Sequence, residues 1–145
     1  MNHDAYDDSY IAGILAEVKT VAVVGASANE VRPSFFVMKY LLGKGFSVIP
    51  VNPGQAGGKI LGQTVYATLA DIPVCVDMVD VFRASAAVPG IVEEVLAMRP
   101  LPGVVWMQLG VRDDAAAARA EAAGIKVVMN RCPKIEYGRL SGEIG

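Results

Sequence analysis

A chain of 145 residues with 53% hydrophobic and 19% charged side chains is long enough for one buried core and too apolar to stay disordered. A single domain over residues 1–145 is expected. The formal net charge of −2 argues against a general nucleic-acid binder, which neutralises phosphates with an excess of Lys and Arg; one phosphorylated small molecule needs only a few local donors.

In chain order, the N-terminus Met1-Asn2-His3-Asp4 carries acid where a secretory signal carries base, and the sole histidine falls in an end expected to fray. A first helix is expected over about 8–18. Residues 21–25 (VAVVG) form a short, continuous, Val-rich run, the pattern of a strand covered on both faces in a parallel sheet. A helix over 34–42 follows Pro33 and stops at Gly43. The next strand is 47–51 (SVIPV). Between 51 and 76 there is a loop with Gly54, Gly57 and Gly58, and a run at 60–66 that reads as a minor edge strand. A central strand follows at 76–82 (VDMVDVF), with Cys75 before it read as core. A helix over 88–98 places Val88, Ile91, Val92, Val95 and Leu96 on one face. Residues 103–107 (GVVWM) form a strand with Trp106 in the core. The surrounding apolar stretch, Pro100 to Val111, has 12 residues between Arg99 and Arg112. A bilayer-spanning helix needs roughly 20, so no membrane association and a cytoplasmic location are expected. Asp113 and Asp114 open an Ala-rich helix over 113–123 and Gly124 closes it. A last strand occupies 125–129 (IKVVM), and the residues beyond read as a tail. The sum is an α/β fold: a Rossmann-like doubly wound, mostly parallel sheet of five to six strands with helices on both faces.

Ligands of such sheets bind beyond the carboxyl ends of the strands, where strand order reverses. The loop after 21–25 is the most informative. Gly25, Ala26, Ser27 and Ala28 are small enough for backbone N–H groups to approach an anion, a helix N-terminus follows at Ser34, and Arg32 offers a charge-assisted bond. The same residues also read plainly, as a tight turn at Gly25 and a helix cap at Ser34. The loop alone leaves both readings open. Of the dinucleotide fingerprint G-x-G-x-x-G only Gly25 is present, and Val51-Asn52-Pro53 ends the second strand without the acid that holds a ribose. No G-x-x-x-x-G-K-[ST] occurs. These residues favour a nucleotide-like anion that is neither ordinary NAD nor a P-loop triphosphate.

The stretches VAVVGAS (21–27), RPS (32–34), YLLGKGFSVIPVNP (40–53), VDMVDVFR (76–83), VVWMQLGV (104–111) and GIKVVMNRCPKIEY (124–137) follow one another along nearly the whole chain after about residue 8. With them the chain resembles the small bacterial CoA-binding domain proteins, which are similar to the N-terminal domain of the succinyl-CoA synthetase α subunit. VNP followed by VDVFR and WMQLG is the most specific part. The resemblance implies that coenzyme A or an acyl-CoA binds at the strand carboxyl ends. By position it implies that Ser27, Ala28, Asn29 and Glu30 lie over the CoA phosphates. Asn52, Pro53 and Gln55 would receive the nucleotide end, and Met107, Gln108 and Leu109 would flank the pantetheine arm. Phe82 and Arg83 would form a further wall. The synthetase-type domain has a Lys where Gln55 aligns, which leaves Lys59, Arg32 or Arg83 to hold the 3′-phosphate. The synthetase's phosphorylated histidine lies in a second domain, so ligase chemistry does not carry over.

The inventory of reactive groups is thin. Two cysteines, Cys75 and Cys132, are too few for a disulfide framework or a structural zinc site. Cys132, between Arg131 and Lys134, reads as a buried residue before a proline turn or as a thiol that exchanges with CoA. Asp77 and Asp80 in a doubly covered strand need partners, expected from a capped loop or an ion pair. Glu136 and Tyr137 lie in the tail, either over the cleft or against the sheet. The expected function is a stand-alone CoA- or acyl-CoA-binding carrier, sensor or regulatory module, with no catalytic residue and no metal assigned. The alternatives are a small CoA-dependent enzyme using Cys132 or an acid among Asp77, Asp80 and Glu136, or an NAD(P)-binding protein with a degenerate fingerprint. A protein partner or a homo-oligomer stays open.

Overall fold

The computed structural model describes residues 1–144. In chain order the elements are α1 (Asp8–Glu17), β1 (Thr20–Val24), α2 (Pro33–Gly43), β2 (Ser47–Val51), β3 (Lys59–Ile60), β4 (Gln63–Thr64), β5 (Met78–Val81), α3 (Val88–Leu96), β6 (Val104–Met107), α4 (Asp114–Ala122), β7 (Lys126–Val128) and α5 (Pro133–Ile144). The Val-rich runs make one sheet in the order β2-β1-β5-β6-β7, every neighbouring pair parallel. Their side chains alternate between two cores. Val21, Val23, Met78, Val104, Trp106 and Val128 pack with α1, α2 and α5 on one face. Ala22, Val24, Val79, Val81, Val105, Met107 and Val127 pack with α3 and α4 on the other. Both faces are covered, which is why the strands read as continuous apolar runs. Each fully buried Val or Leu contributes about 1.5–3 kcal/mol.

The direction of winding reverses between β1 and β5, where β1 leads into α2 on one face and β5 into α3 on the other. A crevice therefore opens between the loops that leave these two strands.

Four expectations need correction. The run 60–66 is not an edge strand: β3 and β4 form a small antiparallel hairpin outside the main sheet, turning at Leu61 (φ 51°) and Gly62 (φ 77°). The main sheet thus has five strands, wholly parallel, and a single parallel bridge from Val51 to Tyr66 connects the hairpin region to it. The tail is helix α5, so the expected proline turn after Cys132 is a helix start, with Pro133 as its first residue. Two glycines, Gly138 and Gly142, blur the helical signal there. The N-terminus is anchored rather than frayed. His3 Nδ1 lies 2.7 Å from the Tyr6 hydroxyl and Nε2 lies 2.9 Å from Glu121. The Tyr6 oxygen accepts from Met129 N–H (2.8 Å), and Tyr10 O–H donates to the Val127 carbonyl (2.9 Å). Cys75 is exposed, because the strand begins only at Met78 and leaves it in a surface loop.

Asp77 follows the capped-loop expectation, accepting from the N–H groups of Lys19 and Thr20, both at 2.9 Å. No helix among the described residues is long and apolar enough to cross a membrane.

Candidate functional site

The crevice is built around Gly25. Its φ is +87°, and a Cβ there would stand 2.6 Å from the Phe82 carbonyl oxygen. Only glycine allows the end of β1 to run this close to the end of β5. The loop after Gly25 is fixed by its own small polar groups. Ser27 N–H donates to Ser34 Oγ (3.2 Å), Asn29 N–H to Ser27 Oγ (3.1 Å) and Val31 N–H to Asn29 Oδ1 (3.1 Å). Ser34 is therefore not the cap of α2; the cap position is Arg32, and Ser34 turns inward, 3% exposed, to hold the loop.

Three of the four N–H groups of residues 25–28, expected to be open to an anion, are already engaged within the protein. Gly25 and Ala26 donate to the Val51 carbonyl (3.0 and 3.3 Å), and Ser27 is taken by Ser34. Among the described residues the N–H groups of Ala28, Glu30 and Ser34 have no partner and are the donors this loop offers; Pro33 has no N–H, and Phe35 and Phe36 donate to the Arg32 carbonyl (3.1 and 3.5 Å).

Neighbouring loops brace one another. Asn52 Nδ2 donates to the Ala26 carbonyl (2.8 Å) while its Oδ1 accepts from Gly54 N–H (2.8 Å), joining the loops after β1 and β2. Arg112 N–H donates to Ser85 Oγ (3.0 Å), joining the loops after β5 and β6. Gly110 N–H donates to Asn130 Oδ1 (2.7 Å), joining β6 to the end of β7, with Asn130 at φ 58°. Ser85 and Asn130 were not singled out from sequence. Asn directly after a strand, a residue type that tolerates the left-handed region, was the available signal.

Between these loops lies a cleft of about 610 Å³, lined by Gly25, Ala26, Ser27, Arg32, Pro33, Ser34, Asn52, Phe82, Arg83, Ala84, Gln108, Leu109 and Val111. Other surface hollows measure about 180–340 Å³. Ten of the sixteen residues expected at the site meet here. Pro33, Ala84 and Val111 are additions. The only charged side chains in the lining are Arg32 and Arg83, with no acid, and neither guanidinium has a hydrogen-bond or ion-pair partner among the described residues. A second hollow of about 270 Å³ adjoins it, sharing Gly25, Asn52 and Arg83 and adding Pro53 and Glu94.

Other expected residues stand apart. Ala28, Asn29 and Glu30 are exposed on the loop and outside the lining. Gln55 and Lys59 are exposed and line neither hollow. Met107 is 0% exposed in the core against α3 and α4: strand alternation turns it away from the face that carries Trp106 and Gln108. The reactive candidates are not in the lining either. Cys132 is buried in the core at the start of α5, and Glu136 is buried with Arg139 (2.9 Å) and Arg131 (3.6 Å). Tyr137 packs edge-on against Tyr40 and Phe46, with Lys44 over its ring. Asp80 is wholly buried in β5 with neither carboxyl oxygen partnered, contrary to the capped loop or ion pair expected; burial alone pushes its pKa well above the ordinary carboxylate range.

Known proteins are similar to this chain in sequence and in fold. Residues 19–138 match the family model described as CoA binding domain. Uncharacterized protein YneT of Bacillus subtilis (strain 168) is 35% identical over 127 residues, 88% of this chain and 91% of that protein. The structure of cell-free ID.343 from Thermus thermophilus superposes with a TM-score of 0.87 at 39% identity, covering 93% of this chain and 99% of that one. Acetate–CoA ligase [ADP-forming] II of Archaeoglobus fulgidus is 34% identical over 98 residues, 66% of this chain but 14% of the ligase. The match runs from the residue before β1 into α5 and takes in the whole sheet and every loop of the cleft, so the chain belongs to the CoA binding domain family.

Proposed function

We propose that the cleft binds coenzyme A or an acyl-CoA, and that the protein is a carrier, sensor or regulatory module without ligase chemistry of its own. The observation that carries this reading is the pairing of two arginines, partnerless among the described residues, with an otherwise uncharged, acid-free cleft at the reversal point of a CoA-family sheet. A multiply phosphorylated nucleotide supplies what those groups lack. Arg32 and the N–H groups of Ala28, Glu30 and Ser34, which have no partner among the described residues, would take the pyrophosphate at the start of α2. Arg83 lines both hollows and would take the 3′-phosphate; Lys59 lines neither. Phe82, Leu109 and Val111 would cover the uncharged parts of the ligand. Such a module would work in the cytoplasm, where the free Cys75 and Cys132 stay reduced.

The test is calorimetric titration of the protein with CoA, 3′-dephospho-CoA and NADP. Saturable CoA binding, weaker without the 3′-phosphate and weaker still for NADP, is expected. Arg83→Ala should weaken CoA by about 1–3 kcal/mol and leave 3′-dephospho-CoA nearly unchanged. Equal loss for both ligands would remove Arg83 from the 3′-phosphate, and NADP binding more tightly than CoA would overturn the reading.

A further inference from the structure

Two buried oxygen-bearing groups lie under the cleft without partners among the described residues. Asp80 is 0% exposed with both carboxyl oxygens unsatisfied, and Gln108 is 7% exposed with Oε1 unsatisfied. They share a face of the sheet. Asp80 stands between Val23 on β1 and Trp106 on β6. Its same-face neighbours along the chain, Met78 and Phe82, belong to or pack on the core against α1, α2 and α5. The ladder continues past β6, since Gln108 N–H donates to the Val81 carbonyl (3.1 Å), which sets Gln108 beside Phe82. Gln108 is thus one same-face step beyond Trp106, diagonal to Asp80 and nearer the cleft that it lines. The one indole donor of the chain, on the residue opposite Asp80, is already engaged: Trp106 Nε1 donates to the Arg131 carbonyl (2.9 Å).

A buried amide oxygen without a donor is destabilising, and an ionised carboxylate there is far more so. A carboxylic acid has one O–H to give, and an amide oxygen can accept it. Because Oε1 is buried, the amide nitrogen is the polar end of Gln108 left to face the cleft. The charges of the cleft, Arg32 and Arg83, are exposed, so phosphates belong at the rim and the uncharged end of a ligand belongs against Gln108.

We propose that Asp80 is a positioning residue whose carboxyl O–H donates to Gln108 Oε1, turning the Gln108 amide N–H donors into the cleft, where they favour a ligand with a carbonyl acceptor at its uncharged end, an acyl thioester over the free thiol. The selectivity rests on the CoA reading above; the Asp80–Gln108 contact does not.

Two readouts separate them. The first needs no ligand. Infrared spectra of the wild-type protein at pH 7 should show a protonated-carboxyl C=O band that disappears in Asp80→Asn and shifts in Gln108→Leu. Absence of the band, or a band that Gln108→Leu leaves in place, overturns the contact. The second is the ratio of acetyl-CoA to CoA affinity. A preference of five-fold or more for acetyl-CoA is expected in the wild type. Asp80→Asn should retain it, since its amide N–H can also donate to Oε1, and Asp80→Val should lose it. The same ratio in all three, or none in the wild type, overturns the selectivity. If the wild type binds neither ligand, the CoA reading fails and the selectivity with it, while the infrared result still decides the contact.

Discussion

Gly25 and Asp80 show how much single positions decide here. Gly25 combines a left-handed backbone with a 2.6 Å approach to the Phe82 carbonyl, so an added methyl meets rigid backbone rather than a side chain that can swing aside. Gly25→Ala should cost about 1–3 kcal/mol in urea unfolding; a loss under about 0.5 kcal/mol would show that the close approach of β1 and β5 is not required. Sequence marked this glycine without deciding between a turn and a ligand site. What it could not display is the neighbour 57 residues away that forbids a Cβ. For Asp80, burial raises the folded-state pKa above the unfolded value of roughly 3.9. Its contribution to stability is therefore fully present below that pH and is lost as pH rises toward the folded pKa, by at most about 1.4 kcal/mol per pH unit. Asn does not titrate, so the stability of Asp80→Asn relative to wild type should grow with pH from about 4 upward. Thermal unfolding across pH 4–8 checks this, and a difference independent of pH would contradict it.

At the scale of elements, sequence resolved what has strong local character and missed what depends on docking. Every strand of the main sheet was visible because burial on both faces demands a continuous Val-rich run, and α4 because Asp113 Oδ1 caps Ala116 N–H (2.9 Å) where the acids predicted a start. Helix α5 was invisible: it carries two glycines, and it is held by α1 through Arg139, which reaches Asp8 (2.8 Å) and Glu136 (2.9 Å), and by buried Leu140. Tertiary packing rather than propensity makes such a helix. Leu140→Ala should accordingly cost about 2–5 kcal/mol in urea unfolding, the range for emptying a buried leucine site. A cost within 0.5 kcal/mol would mean that α5 is peripheral to the core. The hairpin β3–β4 reads in sequence as an edge strand because a short apolar run does not reveal what it pairs with.

For the whole molecule, the strand order decides where a ligand goes. Order β2-β1-β5-β6-β7 places the reversal between β1 and β5, and four loops far apart in sequence then face one another across it. Sequence identified those loops because each follows a strand. It did not separate residues that line the cleft from those that turn away, as Met107 does, since that depends on strand parity at the last rung. Nor did it show that Asn52, Ser85 and Asn130 tie adjacent loops together, which fixes the walls before any ligand arrives. The direct measurement is diffraction from crystals grown with CoA. Density for the pyrophosphate beside Arg32 and the Ala28–Glu30 backbone, with the 3′-phosphate on Arg83 and the arm running past Phe82 to Gln108, is the predicted result. CoA density elsewhere on the surface, with this cleft left to solvent, would contradict the account.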